Sequence, residues 1–294
     1  MKKLFVFIFI VLLLAGCTRE SADPQDEVTY KRKDLSDVTA ISGLQGSDIA
    51  IRTIEEEELL KQVGEVETFF YDSNDMEVTV VKAEAIDGAL MDETTALYYC
   101  TIDPELAYLA FRNNENGFQV DASMLDRVLL LKKNSSLLEE IDEQISSVGS
   151  DDRLQLMKDV LKVYNGLTIA RFSLEKEEPE EFSGTLRVGI EDSSDLYCWK
   201  EEEEQSFGSL QYGSESAVIQ TCNGYDVRFA KYLADSLGYS LEIYVMDRET
   251  LLEALDRSAI DVAFGNFRSA ETDAQKYDMT SSIYDLNYVI LYKR

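Results

Sequence analysis

The reactive side chains to place in this sequence are four cysteines, Cys17, Cys100, Cys198 and Cys222, in a chain without a single histidine. Imidazole acid–base chemistry and histidine metal sites are excluded on that ground. Cys198 and Cys222 bracket an acidic, polar loop from Lys200 to Thr221, and an oxidising compartment would let them pair. Closing a loop of that length could contribute about 3 kcal/mol. Cys100 follows Ala96-Leu97-Tyr98-Tyr99 on a predicted helix and reads as a buried thiol. Acidic residues outnumber basic ones 57 to 28, for a net charge of −29. So acidic a chain should not bind nucleic acid, whose phosphates need basic partners, and its body is kept away from anionic headgroups. Hydrophobic residues make up 45% of the 294, enough for two modest cores.

The start of the chain bears on the redox question. Met1-Lys2-Lys3 is a basic leader and Leu4 to Leu14 an unbroken apolar run. The run is too short to span a bilayer as a mature helix, so residues 1–16 read as a signal peptide. It closes on Leu14-Ala15-Gly16-Cys17, which resembles the lipobox of bacterial lipoproteins. In that family the cysteine takes a diacylglycerol and cleavage occurs just before it. The resemblance implies lipidation at Cys17 and an extracytoplasmic protein held at the bacterial cell membrane, since two acyl chains anchor stably where one is marginal. Residues 17–32, polar and charged from Ser21 onward, read as a tether.

The elements that must position any site are clearest from Gly224 to Ile290. Tyr225, Phe229, Leu233 and Leu237 recur at i, i+4 spacing, a helical stripe that Gly238 can end in a left-handed cap. Leu241 to Val245 has strand length and composition. Asp247 then opens a second helix carrying Leu251, Leu252 and Leu255, with its side-chain oxygen placed to cap the free amides. Ile260 to Phe264 is a further apolar run. Strand and helix alternating in so short a space predicts a parallel sheet with crossover helices, and ligands bind such sheets at the carboxyl ends of the strands.

Leu186-Arg187-Val188-Gly189-Ile190, Gly224-Tyr225-Asp226-Val227, Ile260-Asp261-Val262-Ala263, Asp278-Met279-Thr280-Ser281 and Tyr284 together resemble the first lobe of the type-3 (amino-acid type) extracytoplasmic solute-binding proteins of ABC transporters. Leu44-Gln45-Gly46, Asp87-Gly88-Ala89-Leu90-Met91-Asp92 and Arg127 to Lys133 resemble that family's second lobe and return hinge strand. Leu137 to Ile145 and Leu154 to Val163 resemble its closing helices. The resemblance implies an α/β, two-lobed periplasmic-binding-protein-like (type II) fold with mixed sheets flanked by helices. It implies no cofactor and no catalysis.

The order of the pieces is inverted relative to the family. The second lobe falls at 33–126, the return strand and closing helices at 127–165, a linker at 166–184 and the first lobe at 185–294. Reading 185–294 before 33–165 restores the family's order, so the chain resembles a circular permutant. Tyr292-Lys293-Arg294 repeats Tyr30-Lys31-Arg32, as a tandem duplication followed by trimming would leave. The new ends should then meet at the hinge. A truncated tandem of two half-domains is the rival arrangement.

By the same resemblance, the ligand-binding residues are Glu191, Tyr197, Trp199, Arg268 and Asp273 from the first lobe and Asp92 from the second. Aromatic rings bury large area and attract cations over their faces. Asp92 sits where the family binds the ligand's ammonium, and it is also placed to cap the helix from Glu93. Two departures matter. The family's carboxylate-clamping arginine is replaced by Asp273, and its Gly-Thr-Thr helix start becomes Ile54-Glu55-Glu56. Bidentate recognition of a carboxylate depends on a guanidinium fork. Either Arg268 supplies one, or the pocket is mostly carboxylate and aromatic and suits a cation.

The implied function is capture of a small amine-bearing solute by lobe closure and its delivery to the membrane subunits of an ABC permease. A sensing or non-transporting binding lipoprotein is the alternative that the lost arginine favours. An enzyme on the same fold is a third, because fold does not fix function.

Overall fold

The computed structural model describes residues 32–111, 116–177, 179–193, 196–201, 210–213 and 219–294. The expected signal peptide, Cys17, residues 17–31 of the expected tether and most of the loop between Cys198 and Cys222 lie outside the described residues. Among those described, no helix is long and apolar enough to cross a membrane.

The strands in chain order are β1 (Asp48–Ile51), β2 (Glu67–Phe70), β3 (Gly88–Asp92), β4 (Leu106–Leu109), β5 (Asp126–Arg127), β6 (Leu130–Lys132), β7 (Gly184–Glu191), β8 (Trp199–Glu201), β9 (Leu210–Gly213), β10 (Ile219–Asn223), β11 (Tyr239–Met246), β12 (Val262–Phe264), β13 (Tyr277–Met279), β14 (Tyr284–Asp285) and β15 (Tyr288–Lys293). The helices are α1 (Ile54–Leu60), α2 (Asn74–Lys82), α3 (Glu93–Ile102), α4 (Ala122–Leu125), α5 (Leu138–Ser146), α6 (Ser150–Tyr164), α7 (Tyr225–Leu237) and α8 (Arg248–Asp256).

Two five-stranded sheets follow one plan. The first has the order β2-β1-β3-β15-β4 and the second β11-β7-β12-β6-β13. In each, the earliest of the parallel strands is flanked by the next two, and a strand arriving from the other half inserts antiparallel beside the third. The visitor to the first sheet is β15, and the visitor to the second is β6. The two crossings that deliver them, β5 and β14, pair antiparallel, with Arg127 opposite Tyr284.

Both sheets are covered on both faces, so their strands read as apolar runs. In β1, Ile49 and Ile51 face a cluster with Leu35, Leu60 and Ile290, while Ala50 faces Val78, Val81 and Met91 on the other side. The helices α5, α6 and α7 cover one face of the second sheet, where Ile141, Met157, Val160, Phe229 and Leu233 pack with Val188 and Ile190. On the opposite face α8 contributes Leu251 and Leu255 to a cluster with Val128, Ile260 and Ala263. The α7 helix ends at Gly238, φ 71°, the left-handed cap its sequence predicts. Asp247 caps α8 by accepting from the Thr250 amide at 3.0 Å.

Two expectations need refinement. The segment from 166 to 184 is tied down near its middle: Phe172 is buried beneath the Arg228 guanidinium at 3.8 Å. Asp159 accepts from the Ser173 amide at 2.9 Å and its hydroxyl at 2.6 Å. Arg32, the first described residue, lies beside the other end of the chain, where one of its Nη atoms donates to the Lys293 carbonyl, but this meeting is not at the hinge. β15 runs away from the crossing: Tyr288 lies opposite Asp92 and Lys293 opposite Leu106. Five strand residues put the ends about 17 Å from the junction.

Candidate functional site

A cavity of about 640 Å³ opens where β3 of the first half and β7 and β12 of the second end, the carboxyl-end position at which sheets of this kind hold ligands. Asn74, Asp92, Tyr98 and Tyr99 line it from one side, and Tyr164, Glu191, Tyr197, Arg248 and Arg268 from the other. Arg127 and Leu286, on or beside the two crossings, lie between them.

Asp92 is the last residue of β3 and caps α3. It accepts from the Thr95 amide at 2.9 Å and the Thr95 hydroxyl at 2.6 Å. Among the described residues no basic group pairs with it.

On the second half, Glu191 ends β7, and its Oε2 accepts from the Asn266 amide at 3.1 Å and from Arg248 Nη1 at 3.3 Å. Arg248 also donates to the Asn266 carbonyl at 3.3 Å and lies 4.6 Å over the Phe267 ring. Gly265 makes room for this arrangement: a Cβ there would stand 2.6 Å from Glu191 Oε2.

Arg127 enters from β5 almost wholly buried. Its Nη1 and Nη2 donate to the two carboxylate oxygens of Asp226, each at 3.0 Å, and Nη2 also donates to the Gly265 carbonyl at 3.0 Å. The guanidinium lies 3.7 Å from the Tyr197 ring centroid. Burial by itself would lower the Arg127 pKa, but the Asp226 carboxylate more than offsets this and the net shift is upward. Asp226 is in position because the loop between β7 and β8 is bonded to the first turn of α7. The amides of Tyr225 and Asp226 donate to the carbonyls of Leu196 and Tyr197, each at 3.0 Å. That closeness requires Gly224, at φ 136°, where a Cβ would meet the Tyr197 carbonyl oxygen at 2.2 Å. Burial also raises the Tyr197 pKa.

No group of histidine, cysteine and carboxylate side chains among the described residues could hold a metal ion.

The model of the bacterial extracellular solute-binding proteins, family 3, matches residues 210–294. The match supports a ligand-binding role. Among curated proteins none matches the sequence. Solved structures that resemble the chain include a phosphate-binding protein of a phosphate ABC transporter from Streptococcus pneumoniae, at 10% identity and a TM-score of 0.35 over 84% of this chain and 89% of that one. The periplasmic aliphatic sulphonate binding protein SsuA from Escherichia coli is 8% identical, with a TM-score of 0.35 over 84% of this chain and 61% of its own. The methionine-binding protein MetQ is 9% identical, with a TM-score of 0.25 over 84% and 83%.

The cavity brings together Glu191, Tyr197, Arg268 and Asp92. It does not include Trp199, which stands behind the wall with its ring edge-on to Tyr164 at 5.2 Å. Asp273 is a correction: it is exposed and closes a turn, its carboxylate accepting from the Gln275 amide at 2.9 Å. The charge expectation is corrected as well. Three arginines, at 127, 248 and 268, line the same cavity as Asp92, Glu191 and Asp226, so the wall is not mostly carboxylate. Arg248 was open to inference, because it follows β11 at the carboxyl edge of the sheet. Tyr164, at the last turn of α6, carries no such signal. At the start of α1, Thr53 is the helix N-cap and lies outside the cavity lining. It caps the Glu56 amide at 3.1 Å, while Glu56 Oε2 accepts from the amides of Arg52 and Thr53 at 2.6 and 3.1 Å.

Cys198 and Cys222 are both fully buried in one cluster. Cys222 lies opposite Lys200 in the β8–β10 pairing, which puts the two cysteines on one face of the ribbon as diagonal neighbours.

Proposed function

We propose that this chain is a lipid-anchored extracytoplasmic solute-binding protein that captures a small amine-bearing solute between its two halves and delivers it to an ABC permease. One observation carries the reading: a cavity of solute size is walled by both halves, with the Asp92 carboxylate on one wall and no basic side chain paired to it among the described residues. A solute that touches both walls binds the closed form better than the open one, and that difference drives closure. Asp92 would take the ammonium. Arg268, on the opposite wall, would take a carboxylate if the solute has one.

Circular permutation belongs to the same reading. Its support is that each sheet receives its antiparallel strand from the other half and that α5 and α6 pack on the sheet of Val188, while the position of Lys293 away from the crossing counts against it. In the oxidised, exported protein, Cys198 and Cys222 would form the disulfide that pins the loop beside the cavity.

The test is a thermal-shift and calorimetric screen of the full chain with amino acids and amines, repeated with Asp92→Ala. A ligand that stabilises the wild type, contracts it in X-ray scattering and loses its effect in the variant is expected. Retained affinity without Asp92 would refute the assignment.

A further inference from the structure

Resting on that reading, we infer that the solute of this cleft is an organic cation without a carboxylate, such as a diamine, a guanidine or a quaternary ammonium, rather than an amino acid. The reason lies in which polar groups of the cleft already have partners. Arg248 and the Asn266 amide form a receiver for an anion, and the chain's own Glu191 fills it, at 3.3 and 3.1 Å. Gly265 is the residue that lets Glu191 approach so closely. The Arg127 fork is filled by Asp226 on both nitrogens. An Nη atom of Arg268 is turned to the Met124 carbonyl.

A ligand carboxylate entering the Arg248 receiver would have to displace Glu191. That exchanges one carboxylate for another, with no gain in pairing, and leaves Glu191 unpaired beside the incoming charge. Acceptors are in the opposite condition. Asp92 has Thr95 as its partner and no base among the described residues. The buried Oδ1 of Asn74, on the same wall, has no hydrogen-bond partner among them. Tyr98, Tyr99 and Tyr164 add aromatic rings to the cavity wall, and such rings attract cations, quaternary ammonium groups included. A donor-bearing cation therefore finds a carboxylate with no basic partner among the described residues and aromatic rings, whereas a carboxylate finds the Arg127 and Arg248 forks already engaged and only the remaining N–H groups of Arg268 to receive it.

The experiment compares matched pairs that differ by one carboxylate: agmatine with arginine, cadaverine with lysine, tyramine with tyrosine, and choline with betaine. Binding to the full-length protein is measured by calorimetry and thermal shift. At least one amine should bind, and about ten-fold or more tighter than its carboxylated partner. In Glu191→Ala the receiver is vacated, and the discrimination within that pair should shrink by about ten-fold. A carboxylated member that binds the wild type as well as its amine overturns the inference but leaves the solute-binding reading standing. Binding of none of the compounds overturns both. If Glu191→Ala fails to fold, the wild-type ratio alone decides.

Discussion

Arg127 and Asp226 meet fork to fork, each side chain only 2% exposed, and through this pair a residue of a crossing strand is fixed to the first turn of α7. Taking two charges out of water is costly, and the pairing offsets that cost only while both partners are present. Asp226→Ala should therefore destabilise the protein by about 3–5 kcal/mol in chemical denaturation, by stranding a buried guanidinium. The double variant Arg127→Met/Asp226→Leu should recover most of the loss. A single variant of near wild-type stability would show that water reaches the pair.

Asp92 has two duties that substitution can separate. Asp92→Asn keeps an N-cap oxygen for the Thr95 amide and should change stability little, whereas Asp92→Ala should lose about 1 kcal/mol from α3. Both should lose ligand affinity, because both remove the charge. An Asn variant that binds as the wild type does would mean the carboxylate serves only the helix.

How much of this was legible in the sequence follows from the range of each interaction. The stripe from Tyr225 to Leu237, the Gly238 cap, and the capping roles of Asp92 and Asp247 depend on neighbours within a turn or two, and each was readable from spacing. Asp273 was misplaced because its assignment required a register across a turn, where a shift of a few residues turns a side chain from cleft to solvent. The Arg127–Asp226 pair joins residues far apart in the chain, and neither the composition nor local pattern marks it. The cleft's charge balance was missed for the same reason: a net charge of −29 describes the whole surface, while the cavity draws its arginines from three separate segments.

Glu77 gives the protein a pH dependence. Its side chain is fully buried, with Arg52 Nε 3.7 Å from one oxygen, and neither oxygen has a hydrogen-bond partner among the described residues. Desolvation, reinforced by Glu56 and only partly offset by Arg52, raises its pKa from 4.5 to about 8. The folded state therefore holds a proton that the unfolded chain releases. The Glu77 contribution to stability should be fully present below about pH 4.5, fall as pH rises toward 8, and level off beyond. Glu77→Gln should flatten this slope and stabilise the protein at pH 8, as read from denaturation midpoints across that range. An unchanged slope would show that Glu77 is not the group responsible.

The cysteines should separate by reactivity. Burial pushes the Cys100 thiol up to about 11, so it should resist alkylation at pH 8 until the protein unfolds. In unfolded, unreduced protein Cys100 should be labelled while Cys198 and Cys222 stay protected, and a reductant should expose both and lower the melting temperature. Labelling of all three without reductant would show that the ribbon cysteines do not pair.

The two crossings have a mechanical consequence. Asp126–Arg127 and Tyr284–Asp285 lie side by side, hydrogen-bonded to each other, one strand spacing apart at about 4.8 Å. Bonded straps of this kind oppose shear and torsion between the bodies they join but flex readily about their common width, as a leaf spring does. Because the Arg127 guanidinium and the Asp126 carboxylate are both held by residues of the second body, the straps are anchored more firmly at that end. The travel of the jaws would then follow a single arc, so a solute that fits at one opening angle would be sensed by the whole molecule.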